Sequence, residues 1–171
     1  YGSQKNEQLF GQGGDDILFG DAGHDKLFGD AGNDYLNGGV GSDQLYGGAG
    51  NDYIEGGAGN DIIWGDDGDD VMVGGAGNDY IVLGPGSDGI YLGAGRDLVR
   101  FDFDNGQDTI FDFKSGEDRI DLTWTDVTLA DVQGCTHDTV NGVVFDYEGG
   151  SVLMAGVKLA DLNWNVDFLF A

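Results

Sequence analysis

Hydrophobic and polar positions recur with a period of nine along the first hundred residues. Residues 2–100 fall into eleven nine-residue units without insertion, and Gly74 to Val82 is the most regular unit. The eighth position is aliphatic throughout: Leu9, Leu18, Leu27, Leu36, Leu45, Ile54, Ile63, Met72, Ile81, Ile90 and Val99. The sixth position is acidic throughout: Glu7, Asp16, Asp25, Asp34, Asp43, Asp52, Asp61, Asp70, Asp79, Asp88 and Asp97. Two such columns indicate a repeat array and argue against a flexible glycine-rich linker.

Each unit contains a turn and a short strand. Positions one to six carry turn residues, with glycine at positions one and four from Gly11 to Gly77. Positions seven to nine predict a three-residue strand whose middle side chain faces inward and whose flanks face outward. Two units of opposite direction make one 18-residue coil. The sequence therefore predicts an all-β fold, a right-handed parallel β-roll over residues 2–100.

Stacked coils place the sixth-position carboxylates of alternate units in one column along each edge, about 4.8 Å apart. Two such charges repel by roughly 3 kcal/mol at an effective dielectric near 20. A divalent cation between neighbouring turns would reverse the sign of this interaction. A site made of oxygen ligands, without a cysteine or histidine column, favours calcium over zinc or copper. We therefore expect the ten aspartates from Asp16 to Asp97 to be calcium ligands.

Composition excludes several classes of protein. The chain has 32 acidic and 7 basic residues and a formal net charge of −25, which excludes non-specific binding to nucleic acid or to an anionic membrane by charge alone. No apolar stretch approaches the roughly 20 residues that span a bilayer. The single Cys135 forms no internal disulfide. Because the chain opens at Tyr1 without methionine, we interpret it as a fragment of a longer protein.

After Arg100 the period of nine lapses, and alternating residues predict a different segment. We interpret residues 101–171 as an antiparallel or irregular β segment that caps the open end of the stack, which repeat arrays require. Large apolar residues such as Trp124, Phe145 and Trp164 are concentrated there. The predicted elements are strands at 101–103, 109–113 and 119–122, turns at 105–108 and 115–118, and a hairpin with strands 143–147 and 151–154 around a turn at 148–150.

Catalytic motifs are scarce. His24 occupies position five of a turn, where other units carry Asn, Asp or Ser, and we interpret it as an exposed turn residue. Cys135 and His137 lie two residues apart in a polar loop without a third orienting group, so they do not predict a nucleophile and base. The sequence favours a non-catalytic module, whose parent protein can still be an enzyme.

Aromatic residues are frequent at the outward positions seven and nine. One interpretation is β-propensity and shielding of thin sheets. The other is a surface that binds a carbohydrate or a partner protein, for which Tyr46 and Trp64 would be the test positions. The outward aromatic residues are Phe19, Phe28, Tyr35, Tyr46, Tyr53, Trp64, Tyr80 and Tyr91.

The nonapeptide pattern of Gly38 to Val82 resembles the RTX (repeats-in-toxin) calcium-binding β-roll of secreted bacterial toxins, serralysin-type proteases, lipases and alginate epimerases. The resemblance implies a calcium ion between turns n and n+2, held by both sixth-position aspartates and by backbone carbonyls. It pairs Gly48, Gly50 and Asp52 with Gly65, Asp67 and Asp70. It likewise pairs Gly57, Gly59 and Asp61 with Gly74, Ala76 and Asp79.

About eight calcium ions follow from this pattern, and the carbonyl ligands fall at positions one to four. At position one they are Gly29, Gly38, Gly47, Gly56, Gly65, Gly74, Leu83 and Leu92. At position two they are Gln12, Asp21, Asp30, Gly39, Gly48, Gly57, Asp66 and Gly75. At position three they are Ala31, Val40, Ala49, Ala58, Asp67, Ala76, Pro85 and Ala94. At position four they are Gly14, Gly23, Gly32, Gly41, Gly50, Gly59, Gly68 and Gly77.

The first and last units depart from the pattern. Unit 1 has Lys5 in place of glycine and Glu7 in place of aspartate, so we expect no calcium there. The last two units replace the first glycine by Leu83 and Leu92 and contain Pro85 and Arg96. We expect those last sites to be weaker.

The resemblance also implies a function. RTX proteins are secreted by type I machinery and fold on extracellular calcium, which predicts a secreted bacterial protein and an upstream catalytic or adhesive domain on the same chain. Residues 112–122 resemble the segment after the repeats of such enzymes, and Asp167 to Ala171 resembles an acidic-then-apolar secretion terminus. A last strand that docks into the cap is the alternative interpretation of that terminus. The alternative function is a carbohydrate-binding or partner-binding accessory module of a larger enzyme or adhesin.

Overall fold

A computed structural model of the chain describes residues 4–100, 106–123, 126, 128–147 and 150–170. The repeat region forms eleven strands: β1 (Gln8–Phe10), β2 (Ile17–Phe19), β3 (Lys26–Ala31), β4 (Tyr35–Val40), β5 (Gln44–Ala49), β6 (Tyr53–Ala58), β7 (Ile62–Asp67), β8 (Val71–Ala76), β9 (Tyr80–Val82), β10 (Gly89–Ala94) and β11 (Leu98–Arg100). The following region contains β12 (Gln107–Ile110), β13 (Arg119–Asp121), α1 (Leu129–Cys135), β14 (Thr136–Asp138), β15 (Gly142–Tyr147), β16 (Gly150–Ala155), a 3₁₀ turn (Leu159–Asp161) and β17 (Phe168–Leu169).

The strands stack as a parallel solenoid with coils of 18 residues, as the period of nine predicts. Leu9 lies beside Leu27 in β3, and Leu27 lies beside Leu45 in β5. Within the described part of the chain, one sheet has the strand order β1-β3-β5-β7-β9-β11-β13-β17. The opposite sheet has the order β14-β15-β16-β12-β10-β8-β6-β4-β2.

The core is the column of eighth-position aliphatic side chains between the two sheets. Every member from Leu27 to Val99 is fully buried. Leu9 and Leu18, in the first two strands, are only partly buried and pack against the column from its end. The flanking side chains at positions seven and nine face outward in most units, so the predicted alternation within each strand is confirmed.

The strands are longer than predicted. Most continue for six residues through positions one to three of the following unit, and the turn is confined to positions four to six. The parallel ladder skips position one and resumes at positions two and three, as Asp30 beside Gly48 and Ala31 beside Ala49 show. The prediction of a six-residue turn was wrong because glycines that permit a bend do not prevent parallel pairing on the far side of the bend.

Parallel stacking continues beyond the residue at which the sequence period lapses. Strand β12 pairs with β10, and β13 pairs with β11, both in parallel. The turn predicted at 105–108 was wrong in its described part, because Gln107 and Asp108 belong to β12. The strand predicted at 109–113 ends at Ile110, whereas the strand at 119–122 is confirmed as β13.

The remainder of the segment after Arg100 adds strands to both sheets. The predicted hairpin is confirmed as antiparallel β15 and β16, and β16 adds to β12 in parallel. Helix α1 was not predicted, although its capping box between Thr128 and Asp131 is visible in the sequence. At the chain end β17 pairs in parallel with β13 and buries Phe168, as the docking-strand interpretation of this segment predicts.

Some predicted features lie outside the described residues. These are the strand at 101–103, the turn residues 105 and 148–149, Trp124 and Ala171. Among the helices of the described residues, none has the length and apolar character required to cross a bilayer.

Candidate metal centres

Each turn brings its sixth-position carboxylate against the backbone of the preceding coil. The Asp43 carboxylate accepts the Asp25 N–H through Oδ1 at 2.7 Å, and the Asp70 carboxylate accepts the Asp52 N–H at 2.8 Å. The same bond repeats from Glu7, which donates to Asp25, to Asp79, which donates to Asp97. The predicted alignment of these carboxylates in two columns, one along each edge, therefore agrees with the structure.

The second oxygen of each carboxylate has no such partner. In all ten predicted aspartates Oδ2 is buried without a hydrogen-bond partner. The nine side chains from Asp25 to Asp97 are each at most 3 % exposed. A buried carboxylate oxygen without a compensating interaction is costly, because burial removes its hydration. The ten atoms are Oδ2 of Asp16, Asp25, Asp34, Asp43, Asp52, Asp61, Asp70, Asp79, Asp88 and Asp97.

This burial makes the carboxylates hard to ionise in the absence of a cation. Burial raises the pKa of Asp70 from 3.8 to about 8 and those of Asp61 and Asp88 to about 7. The pKa values of Asp52 and Asp97 rise to about 6 for the same reason. Neighbouring carboxylates contribute less than burial in each case. The sequence predicts mutual repulsion as the main cost, but burial raises these pKa values more than the neighbouring carboxylates do, so lost hydration is the larger cost.

First-position glycines leave space beside the partnerless oxygen. A Cβ atom added to Gly56 would lie 2.7 Å from Asp61 Oδ2 and 2.6 Å from the Gly74 carbonyl oxygen. The carboxylate of one turn and a carbonyl of the next coil thus border one small space. The predicted partners Asp61 and Gly74 therefore lie close together. The same arrangement occurs beside Gly11, Gly20, Gly29, Gly38, Gly47 and Gly74.

The predicted carbonyl ligands at positions two and three already serve the inter-coil ladder. Position-three carbonyls accept the position-four N–H of the preceding coil, as Ala76 does from Gly59 at 2.7 Å. Position-two carbonyls accept the position-three N–H of the following coil, as Asp21 does from Val40 at 2.8 Å. A carbonyl oxygen has two lone pairs, so these bonds leave one for a cation. The assignment of individual carbonyl ligands stays a prediction.

The unit that begins at Leu83 departs from this arrangement, whereas the unit that begins at Leu92 keeps it. Beside Gly65 the added Cβ would meet Asp70 Oδ2 and then the Met72 side chain instead of a carbonyl from the next coil. The residue that replaces glycine in the next coil, Leu83, is buried in the core. Pro85 keeps one of the two ladder bonds of position three, since its carbonyl accepts the Gly68 N–H at 3.0 Å, but the N–H that other units donate from this position is missing.

Two further acidic residues extend the columns into the cap and were not predicted. Asp108 Oδ1 accepts the Asp88 N–H at 3.0 Å, and Asp118 Oδ1 accepts the Asp97 N–H at 3.2 Å. Asp118 Oδ2 also accepts the Lys114 N–H at 2.8 Å, so both of its oxygens are engaged. Their steps of 20 and 21 residues hide them from a search at a period of nine. The signal that remains is an aspartate two residues before a core isoleucine.

The donor set is made of oxygen atoms. Within the described ranges no three His, Cys, Asp or Glu side chains converge as a metal-binding group, so a cation here would take two carboxylates and complete its shell with carbonyls or water. Such a shell suits calcium, which accepts six to eight oxygen ligands in flexible geometry. The residues present therefore fit the calcium ion that the sequence predicts.

The three residues considered for catalysis have other contacts. His24 Nδ1 accepts the Ser42 N–H at 2.8 Å. Cys135 Sγ donates to the Asp131 carbonyl, and burial raises the pKa of this thiol, which disfavours the nucleophilic thiolate. His137 Nδ1 lies 3.3 Å from Asp146 Oδ2 on the exposed hairpin.

Outward aromatic rings stack on one another along the sheet that contains β1, β3, β5 and β7. Phe10, Phe28, Tyr46 and Trp64 form a ladder with centroid distances of 4.9, 4.7 and 4.3 Å and nearly parallel planes. Since the faces of the inner rings contact each other, a sugar would meet their edges. The carbohydrate-binding interpretation stays a prediction, and the ladder itself accounts for the aromatic content through cross-strand packing.

Comparisons with known proteins agree with this geometry. A family model described as RTX calcium-binding nonapeptide repeat (4 copies) matches residues 1–36, 28–63, 37–72 and 64–99, which together cover more than half of the chain. A search of curated proteins found no match.

A search of solved structures matched the chain to two proteins, among others. Extracellular lipase LipA from Serratia marcescens is 17% identical over 99% of this chain, with a TM-score of 0.42. The chain spans 39% of the length of that lipase. The AlgE6R3 subunit of the Azotobacter vinelandii mannuronan C5-epimerase is 23% identical over 100% of this chain and 81% of its own, with a TM-score of 0.32.

Proposed function

Because the chain belongs to the family of RTX calcium-binding nonapeptide repeats, we propose that it is a non-catalytic module of a secreted bacterial protein whose folding is driven by extracellular calcium. The observation that carries the proposal is the set of ten buried aspartate Oδ2 atoms without a partner. A calcium ion between successive turns supplies that partner and neutralises two carboxylates at once. Five of the ten aspartates lie on each edge, so each edge has four gaps between successive aspartates. One ion in each gap supports a count of eight ions.

Calcium chemistry explains why folding would depend on the compartment. In calcium-poor cytosol, formation of the roll leaves carboxylates such as Asp61 and Asp70 dehydrated and without a counter-charge, so the unfolded chain is favoured. Outside the cell, calcium near the millimolar range binds the folded turns and shifts the equilibrium by mass action. Binding free energy is then folding free energy.

Far-UV circular dichroism of the whole chain tests calcium-dependent folding. We expect little β-structure in chelator and a cooperative gain of β-structure on addition of calcium. Magnesium is the matched control, because its strict octahedral shell and slow dehydration suit this site poorly. An equally ordered roll in chelator would contradict the proposal.

The cap completes the module in this proposal. Asp167 is fully buried and accepts the Gly116 N–H at 2.8 Å and the Asn163 N–H at 2.7 Å, which joins β17 to the turn before β13. Parallel pairing of β12 and β13 on the last repeat strands offers the coils a preformed edge on which to assemble. The last strand thereby has a structural role in addition to any role as a secretion signal.

Passage of the unfolded chain through a type I exporter is the second part of the proposal. Replacement of Asp61, Asp70 and Asp88 by asparagine removes three dehydrated charges and should let the roll form without calcium. We expect cells that express a type I exporter to secrete the wild-type chain and to retain this variant. Equal export of both chains would contradict a requirement for the unfolded state and leave calcium binding intact.

A further inference from the structure

A second column of side chains runs along each edge. Its members lie at position five of each unit, one residue before the sixth-position aspartates. On one edge Asn33 Oδ1 accepts the Asn51 N–H at 2.8 Å, and Asn51 Oδ1 accepts the Asp69 N–H at 3.1 Å. On the other edge Asn60 Oδ1 accepts the Asn78 N–H at 2.8 Å. We call these side chains the fifth-position ladder. Its acceptors are Asn6, Asp15, His24, Asn33, Ser42, Asn51, Asn60, Asp69, Asn78 and Ser87.

The two columns point in opposite directions along the stack. In the turn that contains Asn51 and Asp52, the Asn51 N–H donates back to Asn33 and the Asp52 N–H donates forward to Asp70. Two consecutive amides are thus held by the two neighbouring coils. The backbone that carries the Asp52 carboxylate is fixed from both sides by hydrogen bonds that contain no metal.

The residue types at position five match this role. Asn, Asp, Ser and neutral His are chemically different, yet each offers an acceptor one or two bonds from Cβ. His24 accepts at Nδ1, which requires the tautomer with its proton on Nε2. Arg96, which has no acceptor, occupies position five only in the last unit, where no further nonapeptide unit follows. The column requires an acceptor and tolerates any short side chain that provides one.

We propose that the fifth-position ladder consists of positioning residues for calcium, which hold successive turns in register and thereby set the calcium affinity and the coupling between neighbouring sites. The inference rests on the proposed function, because it concerns how the same sites reach their geometry. A turn that is already in register loses less conformational entropy when the ion binds, so the ion binds more tightly. A turn that lacks the hydrogen bonds of the fifth-position ladder must be ordered by the ion itself.

A pair of variants, one substitution on each edge, tests this role. The double variant Asn51→Ala, Asn60→Ala removes two acceptors and no proposed ligand. We expect its calcium midpoint in a circular-dichroism titration to rise roughly two- to tenfold, with a shallower slope, as loss of two modest hydrogen bonds predicts. The variant Asn51→Ser, Asn60→Ser should recover most of the shift, because Ser42 Oγ already accepts the Asn60 N–H in the wild-type chain at 3.2 Å.

Asn37→Ala is the matched control. Asn37 lies on the outer face of the roll and donates to Glu55 Oε2 at 2.8 Å, so this variant loses a side-chain hydrogen bond outside the turns. Because folding and calcium binding are coupled, we expect a smaller shift of its calcium midpoint than in the alanine double variant, since a single bond on the outer face is lost. Hydrogen exchange at the Asp69 amide in saturating calcium gives a second readout, and it should accelerate in the alanine variant and recover in the serine variant.

Three results would overturn the inference. These are an unchanged midpoint in the alanine double variant, an equal shift in the alanine and serine variants, or an equal shift in Asn37→Ala. Failure of the proposed function looks different, because the wild-type chain itself would then show no response to calcium.

Discussion

The backbone N–H of Asp52 donates to Oδ1 of Asp70 at 2.8 Å, while Oδ2 of Asp70 is buried and has no hydrogen-bond partner. One oxygen of the carboxylate therefore belongs to the fold and the other is left for a ligand. The first interaction holds the carboxylate in position within the folded roll through a hydrogen bond that contains no metal. The second oxygen makes the empty site unfavourable, which links metal binding to stability.

Substitution of Asp70 by asparagine separates these two roles. The amide keeps an acceptor for the Asp52 N–H and removes the charge. We expect the calcium midpoint to rise about tenfold or more, because ligand charge tunes calcium affinity over orders of magnitude. In chelator the same variant should be more ordered than the wild type, since a dehydrated charge is gone. Circular dichroism with and without calcium measures both, and a variant that is less ordered in both conditions would contradict this division of roles.

Gly56→Ala tests the space beside the carboxylate. The new Cβ would lie 2.7 Å from Asp61 Oδ2 and 2.6 Å from the Gly74 carbonyl oxygen, so it competes with any ion there. We expect a weaker calcium response and a loss of about 1–3 kcal/mol in the free energy of unfolding with calcium present. Gly134→Ala in helix α1 is the control, because a Cβ there has no neighbour within 4 Å. Equal calcium midpoints in the two variants would contradict the assignment.

Asp66→Gly should stabilise the roll. Asp66 adopts φ +65° at a position where Gly39, Gly48, Gly57 and Gly75 also have positive φ, and glycine adopts this conformation without steric cost. The substitution also removes a charge that raises the pKa of Asp70. We expect the midpoint of thermal unfolding in saturating calcium to rise by about 2–4 °C. Gly48→Asp is the reciprocal variant and should lower it.

Acidification should partly replace calcium. Burial raises the folded-state pKa of Asp61, Asp70 and Asp88 to about 7 or 8, above the 3.8 of the exposed group. Stability from the protonated forms is fully present below about pH 4 and is lost as pH rises through those values. In calcium-free buffer we therefore expect more β-structure at pH 5 than at pH 8. Circular dichroism that is identical at both pH values would contradict the pKa assignments.

The period of nine predicted the coil, the core column and the Asp16 to Asp97 column because each depends on one residue type at one repeated position. The length of the strands was not predictable in the same way, because Gly47 and Gly48 permit both a turn and a parallel ladder. Only the neighbouring coil decides between them. The fifth-position ladder was also missed, since Asn, Asp, His and Ser share an acceptor and little else.

In the segment after Arg100 the sequence period predicts even less of the structure. Asp108 and Asp118 continue the two columns, but insertions change their spacing to 20 and 21 residues. Tertiary stacking tolerates those insertions because the flanking strands stay paired in parallel, β10 with β12 and β11 with β13. A sequence period does not tolerate them, so the columns end at Asp97 in the repeat pattern and continue in the fold.

The most direct test of the account is the anomalous difference density of a crystal grown in saturating calcium. We predict calcium peaks between successive aspartates on both edges, with the Oδ2 atoms of pairs such as Asp52 and Asp70 at about 2.3–2.6 Å from the ion. Intact coils in which those oxygen atoms contact only water, with no calcium peak along either edge, would contradict it.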